Sequence, residues 1–114
     1  MSSISPVQPQ DLAAAVPLFA ALGDETRLRI LSRLSGGRTE SITSLSADSS
    51  LTRQAVTKHL NVLASAGLVS DERIGRERLW RYAPEPVADA SEFLDKITRQ
   101  WDEALGRLKD FVES

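Results

Sequence analysis

Residues 51–69 read Leu51-Thr52-Arg53-Gln54-Ala55-Val56-Thr57-Lys58-His59-Leu60-Asn61-Val62-Leu63-Ala64-Ser65-Ala66-Gly67-Leu68-Val69. At 100° per residue, Arg53, Gln54, Thr57, Lys58 and Asn61 fall within about a 140° arc. Val56, His59, Leu60, Leu63 and Ala66 fall on the other side. The stretch therefore predicts an amphipathic helix with one polar, basic face. Thr52 is an N-cap by type and Gly67 a helix stop. Ala55 and Ala66 are small enough to let a neighbouring helix approach closely.

The polar face has the chemistry of a groove reader. Arg and Lys reach guanine O6 and N7, Gln and Asn pair with adenine, and Thr touches a thymine methyl. Ser50 and Thr52, at the start of the helix, are placed to hydrogen-bond phosphates together with backbone N–H groups. The competing reading is an ordinary solvated helix face. The surroundings favour DNA: a short helix and a Ser-rich turn precede it, and an arginine-studded hairpin follows.

Charge distribution agrees with this. The 114-residue chain carries a net charge of −2, which looks wrong for a nucleic-acid binder. Yet residues 50–82 hold six basic and three acidic side chains, whereas residues 83–114 hold four basic and eight acidic. A local positive field can attract phosphate while an acidic surface elsewhere maintains solubility.

Working outward, residues 1–9 are expected to form a mobile arm and residues 10–114 one folded domain. A first helix is expected over Gln10 to Leu22, restarting or bending at Pro17. Asp24 caps a second helix that ends at Gly36-Gly37. A short third helix spans about Ile42 to Ala47, and Asp48-Ser49-Ser50 is turn material. Leu68 to Ile74 and Arg78 to Tyr82 read as two strands joined by Gly75-Arg76-Glu77. Pro84 and Pro86 are expected to break the chain before a last helix from Val87 to Val112. In that helix Leu94, Ile97, Trp101, Ala104, Leu108 and Phe111 alternate at spacings of three and four, as in a coiled-coil seam. Such a stripe is normally buried, so we expect homodimerisation through it, completed by Leu12 and Phe19 of the first helix, the alternative being that it packs against the chain's own core.

The hairpin offers Arg73, Arg76 and Arg78 as a wing that tracks phosphates or enters a minor groove. The alternative is that they pair with Asp71, Glu72 or Glu77 as surface ion pairs. His59 projects toward the apolar side, where a hydrogen-bonded structural imidazole is the commoner outcome; phosphate contact or pH sensing is the other. Trp80 and Tyr82 suit packing better than base stacking.

Several classes are excluded or disfavoured. Cysteine is absent, which removes disulfides and thiolate metal sites. The absence of cysteine, a single histidine near the apolar side and the lack of a glycine-rich phosphate loop argue against an enzyme, and no cofactor or metal is expected. No apolar run approaches the roughly 18–20 residues of a membrane span, and the N-terminus lacks secretory features, so a cytoplasmic location is expected. The functional alternative to a DNA-binding regulator is a winged-helix protein-interaction module, although such a surface would favour exposed aromatics and Met.

Three segments resemble the ArsR family of winged helix-turn-helix repressors. These are Leu22-Gly23-Asp24-Glu25-Thr26-Arg27-Leu28-Arg29-Ile30-Leu31, Thr57 to Val69, and Arg73-Ile74-Gly75-Arg76-Glu77-Arg78-Leu79-Trp80-Arg81-Tyr82. Their order and spacing agree over roughly residues 10–110. The resemblance implies a mainly α domain with a two-stranded antiparallel wing, a homodimer joined through its first and last helices, and repression at a palindromic operator in double-stranded DNA. It does not bring the family's metal sensors: Ser41-Ile42-Thr43-Ser44-Leu45-Ser46-Ala47-Asp48 has no thiol, and Asp89, Asp95, Asp102 and Glu103 have no histidine beside them. Any small-molecule effector is left unidentified.

Overall fold

In the computed structural model, residues 6–47 and 49–113 are described. Residues 1–5 of the expected arm and Asp48 of the expected turn lie outside them. Helix α1 spans Pro9–Leu22, α2 Glu25–Leu34, α3 Ile42–Ala47, α4 Arg53–Ser65 and α5 Pro84–Glu113; strands are β1 Glu40–Ser41, β2 Val69–Ile74 and β3 Glu77–Tyr82.

Local chemistry explains most of these limits. Asp11 accepts from the Gln8 N–H at 2.8 Å and so closes the first turn of α1. That bond, with Lys96 adding to it, holds the Asp11 carboxyl below its ordinary pKa. The helix starts at Pro9, inside the span expected to be an arm, because proline fits a first helical position. It continues through Pro17 without interruption. Ala13, whose carbonyl would have bonded residue 17, and Pro17 itself are both exposed, so water can satisfy the freed carbonyl. The same logic corrects the expectation for Pro84 and Pro86. They occupy the first turn of α5, where backbone N–H groups have no intrahelical partner, and they start that helix rather than break it.

The sheet differs from the two-stranded wing expected. It has three antiparallel strands in the order β1-β3-β2. Glu40 lies opposite Trp80, and Ser41 opposite Leu79. A two-residue strand has no periodicity to read. The β2–β3 turn is also one residue tighter than expected, since Ile74 pairs with Glu77 and leaves Gly75-Arg76 as the loop. Gly75 has φ 63° and, among the described residues, no non-glycine residue has a positive φ, which matches a type II′ hairpin turn.

The core gathers Leu34, Leu45, Val56, Leu60, Leu63, Leu68, Val69 and Trp80 between α2, α3, α4 and the sheet. Within it lies one buried acid. Glu40, 5% exposed, accepts from Arg33 Nε at 2.5 Å, from Arg33 Nη2, and from Ser44 Oγ at 2.8 Å. The Arg33 hydrogen bond is the main reason its carboxyl titrates below its ordinary range. This cluster pins β1 to α2 and α3.

Helices α1 and α5 pack together outside this core. Phe19 meets Phe93 with ring centroids 6.0 Å apart, and Lys96 pairs with Asp11 at 3.3 Å.

Candidate DNA-binding face

The reading helix is closed at both ends by its own sequence. Thr52 Oγ1 accepts from the Ala55 N–H at 3.1 Å, the N-cap bond expected of a threonine there. At the other end Gly67 has φ +75°. Its N–H donates to Ala64 and that of Leu68 donates to Leu63, each at 2.9 Å. These two bonds form a Schellman motif, which needs a residue that tolerates the left-handed conformation. The helix thus ends at Ser65, two residues before Gly67.

Between these caps the two faces separate as the periodicity predicts. Val56, Leu60 and Leu63 are buried, whereas Thr52, Arg53, Gln54, Lys58 and Asn61 are exposed. Among the described residues, Arg53, Gln54, Lys58 and Asn61 make no side-chain hydrogen bond or ion pair within the chain. Thr57 is half-buried, and its hydroxyl donates to the Arg53 carbonyl at 2.7 Å. Ser50 is exposed just before the helix.

The wing cations fall into two groups. Arg78 donates to Asp71 at 2.6 Å and lies 4.7 Å above the Trp80 ring. Arg81 pairs with Glu72. Arg78 follows the ion-pair alternative, and Arg81 makes a surface pair of the same kind. Arg73 and Arg76 are exposed and make no ion pair among the described residues. Arg76 sits at the tip, and Arg73 faces Arg78 across the hairpin.

His59 is half-buried, with Nδ1 3.4 Å from Arg27 Nη1 and 3.9 Å from Asp24 Oδ2. Asp24 N-caps α2 by accepting from the Arg27 N–H at 3.0 Å. That backbone bond is the main cause of its lowered pKa. The side chain of Arg27 was missed from the sequence: its partners are two carbonyls on α1 and a ring 32 residues away.

The seam residues Leu94, Ile97, Trp101, Leu108 and Phe111 are exposed and Ala104 is half-buried. Leu105 and Val112, outside the expected seam, widen this apolar surface. On α1, Leu12 and Val16 are exposed, whereas Phe19 is half-buried against Phe93. Among the described residues, no cluster of three or more His, Asp or Glu side chains could hold a metal ion, and no helix is long and apolar enough to cross a membrane.

Comparison with known proteins agrees with this geometry. A family described as a helix-turn-helix domain matches residues 22–72. The HTH-type transcriptional regulator Rv2034 of Mycobacterium tuberculosis is 34% identical over 84% of this chain and 86% of its own. A structure of an ArsR-like transcriptional regulator from Rhodococcus sp. RHA1 superposes with a TM-score of 0.88 at 36% identity, covering 94% of this chain and 97% of that one. The chain belongs to the ArsR family of winged helix-turn-helix transcriptional regulators. An uncharacterized HTH-type transcriptional regulator of Bacillus subtilis, YuzN, is 42% identical across 61% of this chain and 83% of that protein. The helix-turn-helix match at residues 22–72 takes in α2, α3 and α4.

Proposed function

We propose that this regulator is a homodimeric repressor whose two α4 helices read the halves of a palindromic operator. The observation that carries this reading is the unengaged polar face of α4: Arg53, Gln54, Lys58 and Asn61 stand exposed while the opposite face is sealed into the core. Arg53 and Gln54 lead into the groove, Lys58 follows about one turn later and Asn61 about two, and the Thr57 methyl meets a thymine. Ser50 and the outward side of Thr52 hold the phosphate at the helix start. Arg73 and Arg76 contact the flanking backbone, and Arg78 stiffens the wing over Trp80 more than it contacts DNA.

The exposed apolar surface supports the homodimer. Leu94, Ile97, Trp101, Leu108 and Phe111 are exposed along α5, Ala104 half-buried among them, and α1, which packs against α5, adds exposed Leu12 and half-buried Phe19. A stripe of this length calls for a cover, and a second copy supplies a matching one. Two reading heads double the specific contacts and set half-sites about one helical turn apart. If each copy neutralises about three phosphates, the salt dependence has a slope near −5. Repression follows when the bound dimer occludes a promoter, and an effector would shift the population between binding and non-binding head spacings. We read the protein as non-enzymatic, without metal or organic cofactor, and acting in the cytoplasm, where the chromosome is.

The test is selection of genomic fragments by the purified protein, followed by sequencing. The reading expects a shared inverted repeat upstream of a small set of genes. Fragments enriched without any common sequence would overturn it in favour of a module that binds other proteins.

A further inference from the structure

Arg27 stands where three helices meet. Its side chain leaves α2 and turns to the end of α1, where Nε donates to the Ala21 carbonyl at 2.7 Å and Nη2 to the Ala20 carbonyl at 3.2 Å. The remaining arm, Nη1, reaches Nδ1 of His59 in α4 at 3.4 Å. A guanidinium only donates, so in this contact Nδ1 is the acceptor. Asp24 flanks the same nitrogen at 3.9 Å and holds the Arg27 backbone through the cap of α2. One planar cation therefore ties the final turn of α1 to the middle of α4.

We infer that Arg27, with His59 as its acceptor, is the positioning residue that fixes the angle of the reading helix against the dimerisation helix. This rests on the DNA-reading role of α4 and on α1 lying at the dimer interface. The apolar contacts beneath α4, made by Val56, Leu60 and Leu63, are non-directional and leave room for small rotations. A three-armed hydrogen-bonded fork does not, because its donors are held in one plane. His59 lies next to Lys58 and two residues before Asn61, so a rotation at His59 moves the base-reading side chains. Bidentate base contacts survive only small displacements. The fork thus transmits the geometry of the dimer to the heads and makes the protein sensitive to half-site spacing.

The substitutions are Arg27→Lys, which keeps the charge and loses the fork, His59→Leu, which removes the acceptor, and His59→Asn, which restores an acceptor near the Nδ1 position. Each is measured with the double variant Arg27→Lys/His59→Leu on the operator, on operators with one base pair added or removed between half-sites, and on random DNA. Thermal unfolding and sedimentation report fold and dimer. Arg27→Lys and His59→Leu should each weaken operator binding about tenfold, with random DNA changed less than about twofold. Both should flatten the spacing preference. The double variant should be no weaker than the worse single one, and His59→Asn should recover to within about threefold of the parent.

Losses that multiply in the double variant, equal losses on random DNA, or an unchanged spacing preference would each overturn the relay. If Arg27→Lys does not fold, the His59→Leu and His59→Asn pair decides by the same criteria. A parent protein that binds no operator overturns the DNA reading itself, a result distinct from any of these.

Discussion

At the scale of single residues, the side chains of this chain do one of two jobs: some hold the frame, and others are left free by it. Glu40 belongs to the frame. Its folded pKa lies below the ordinary 4.5, so its ion pair with Arg33 stabilises the fold fully above that value. The contribution falls away as pH drops through it toward the folded pKa. Glu40→Gln should lower the unfolding free energy at neutral pH by about 2–3 kcal/mol, less than a fully enclosed pair because Arg33 is partly exposed. The variant should also lose stability less steeply as pH falls below 4.5; a profile parallel to the parent's would place the acid sensitivity elsewhere. Arg76 belongs to the free set. Arg76→Gln should reduce the salt slope of DNA binding by about 1 per copy and leave site preference alone. An altered preference would mean that the wing reads bases. The sequence exposed the free set readily, since type and helical phase were enough. It could not show which wing arginine is tethered, because Arg78, Asp71 and Trp80 meet only through the strand register.

Among the elements, α4 was the most legible because every local cue agreed: a threonine cap, apolar residues at helical spacing and a glycine stop. Two measurements check that the caps matter. Thr52→Ala should destabilise the protein by about 1 kcal/mol. Gly67→Ala should cost about 1–2 kcal/mol, since φ is +75° while the new Cβ would meet Pro86 Cγ at an ordinary 3.5 Å. A neutral effect of Gly67→Ala in denaturant unfolding would show that the turn relaxes. Elements defined by distant partners were harder to read. β1 exists because Glu40 and Ser41 find Trp80 and Leu79 about forty residues on, and nothing within two residues signals it. Pro84 and Pro86 looked like breakers because proline ends a helix from inside yet suits its first turn; only the position of that turn separates the two cases.

For the whole molecule, the decisive relation is between the exposed apolar stripe of α5 and the exposed polar face of α4. The heptad-like spacing gave the stripe from sequence; its extension by Leu105 and Val112 emerged only in three dimensions. Trp101→Asp should convert the dimer to monomers in sedimentation and reduce the salt slope of binding by about half. A dimer that persists would remove this surface from the interface. The central claim is that the face of α4 reads base edges, and the most direct measurement is the affinity of Arg53→Ala and Gln54→Ala for the selected operator and for random DNA at one salt concentration. The account predicts losses of about 1–3 kcal/mol on the operator with little change on random DNA. Equal losses on both would contradict it and leave α4 as a phosphate-binding surface only.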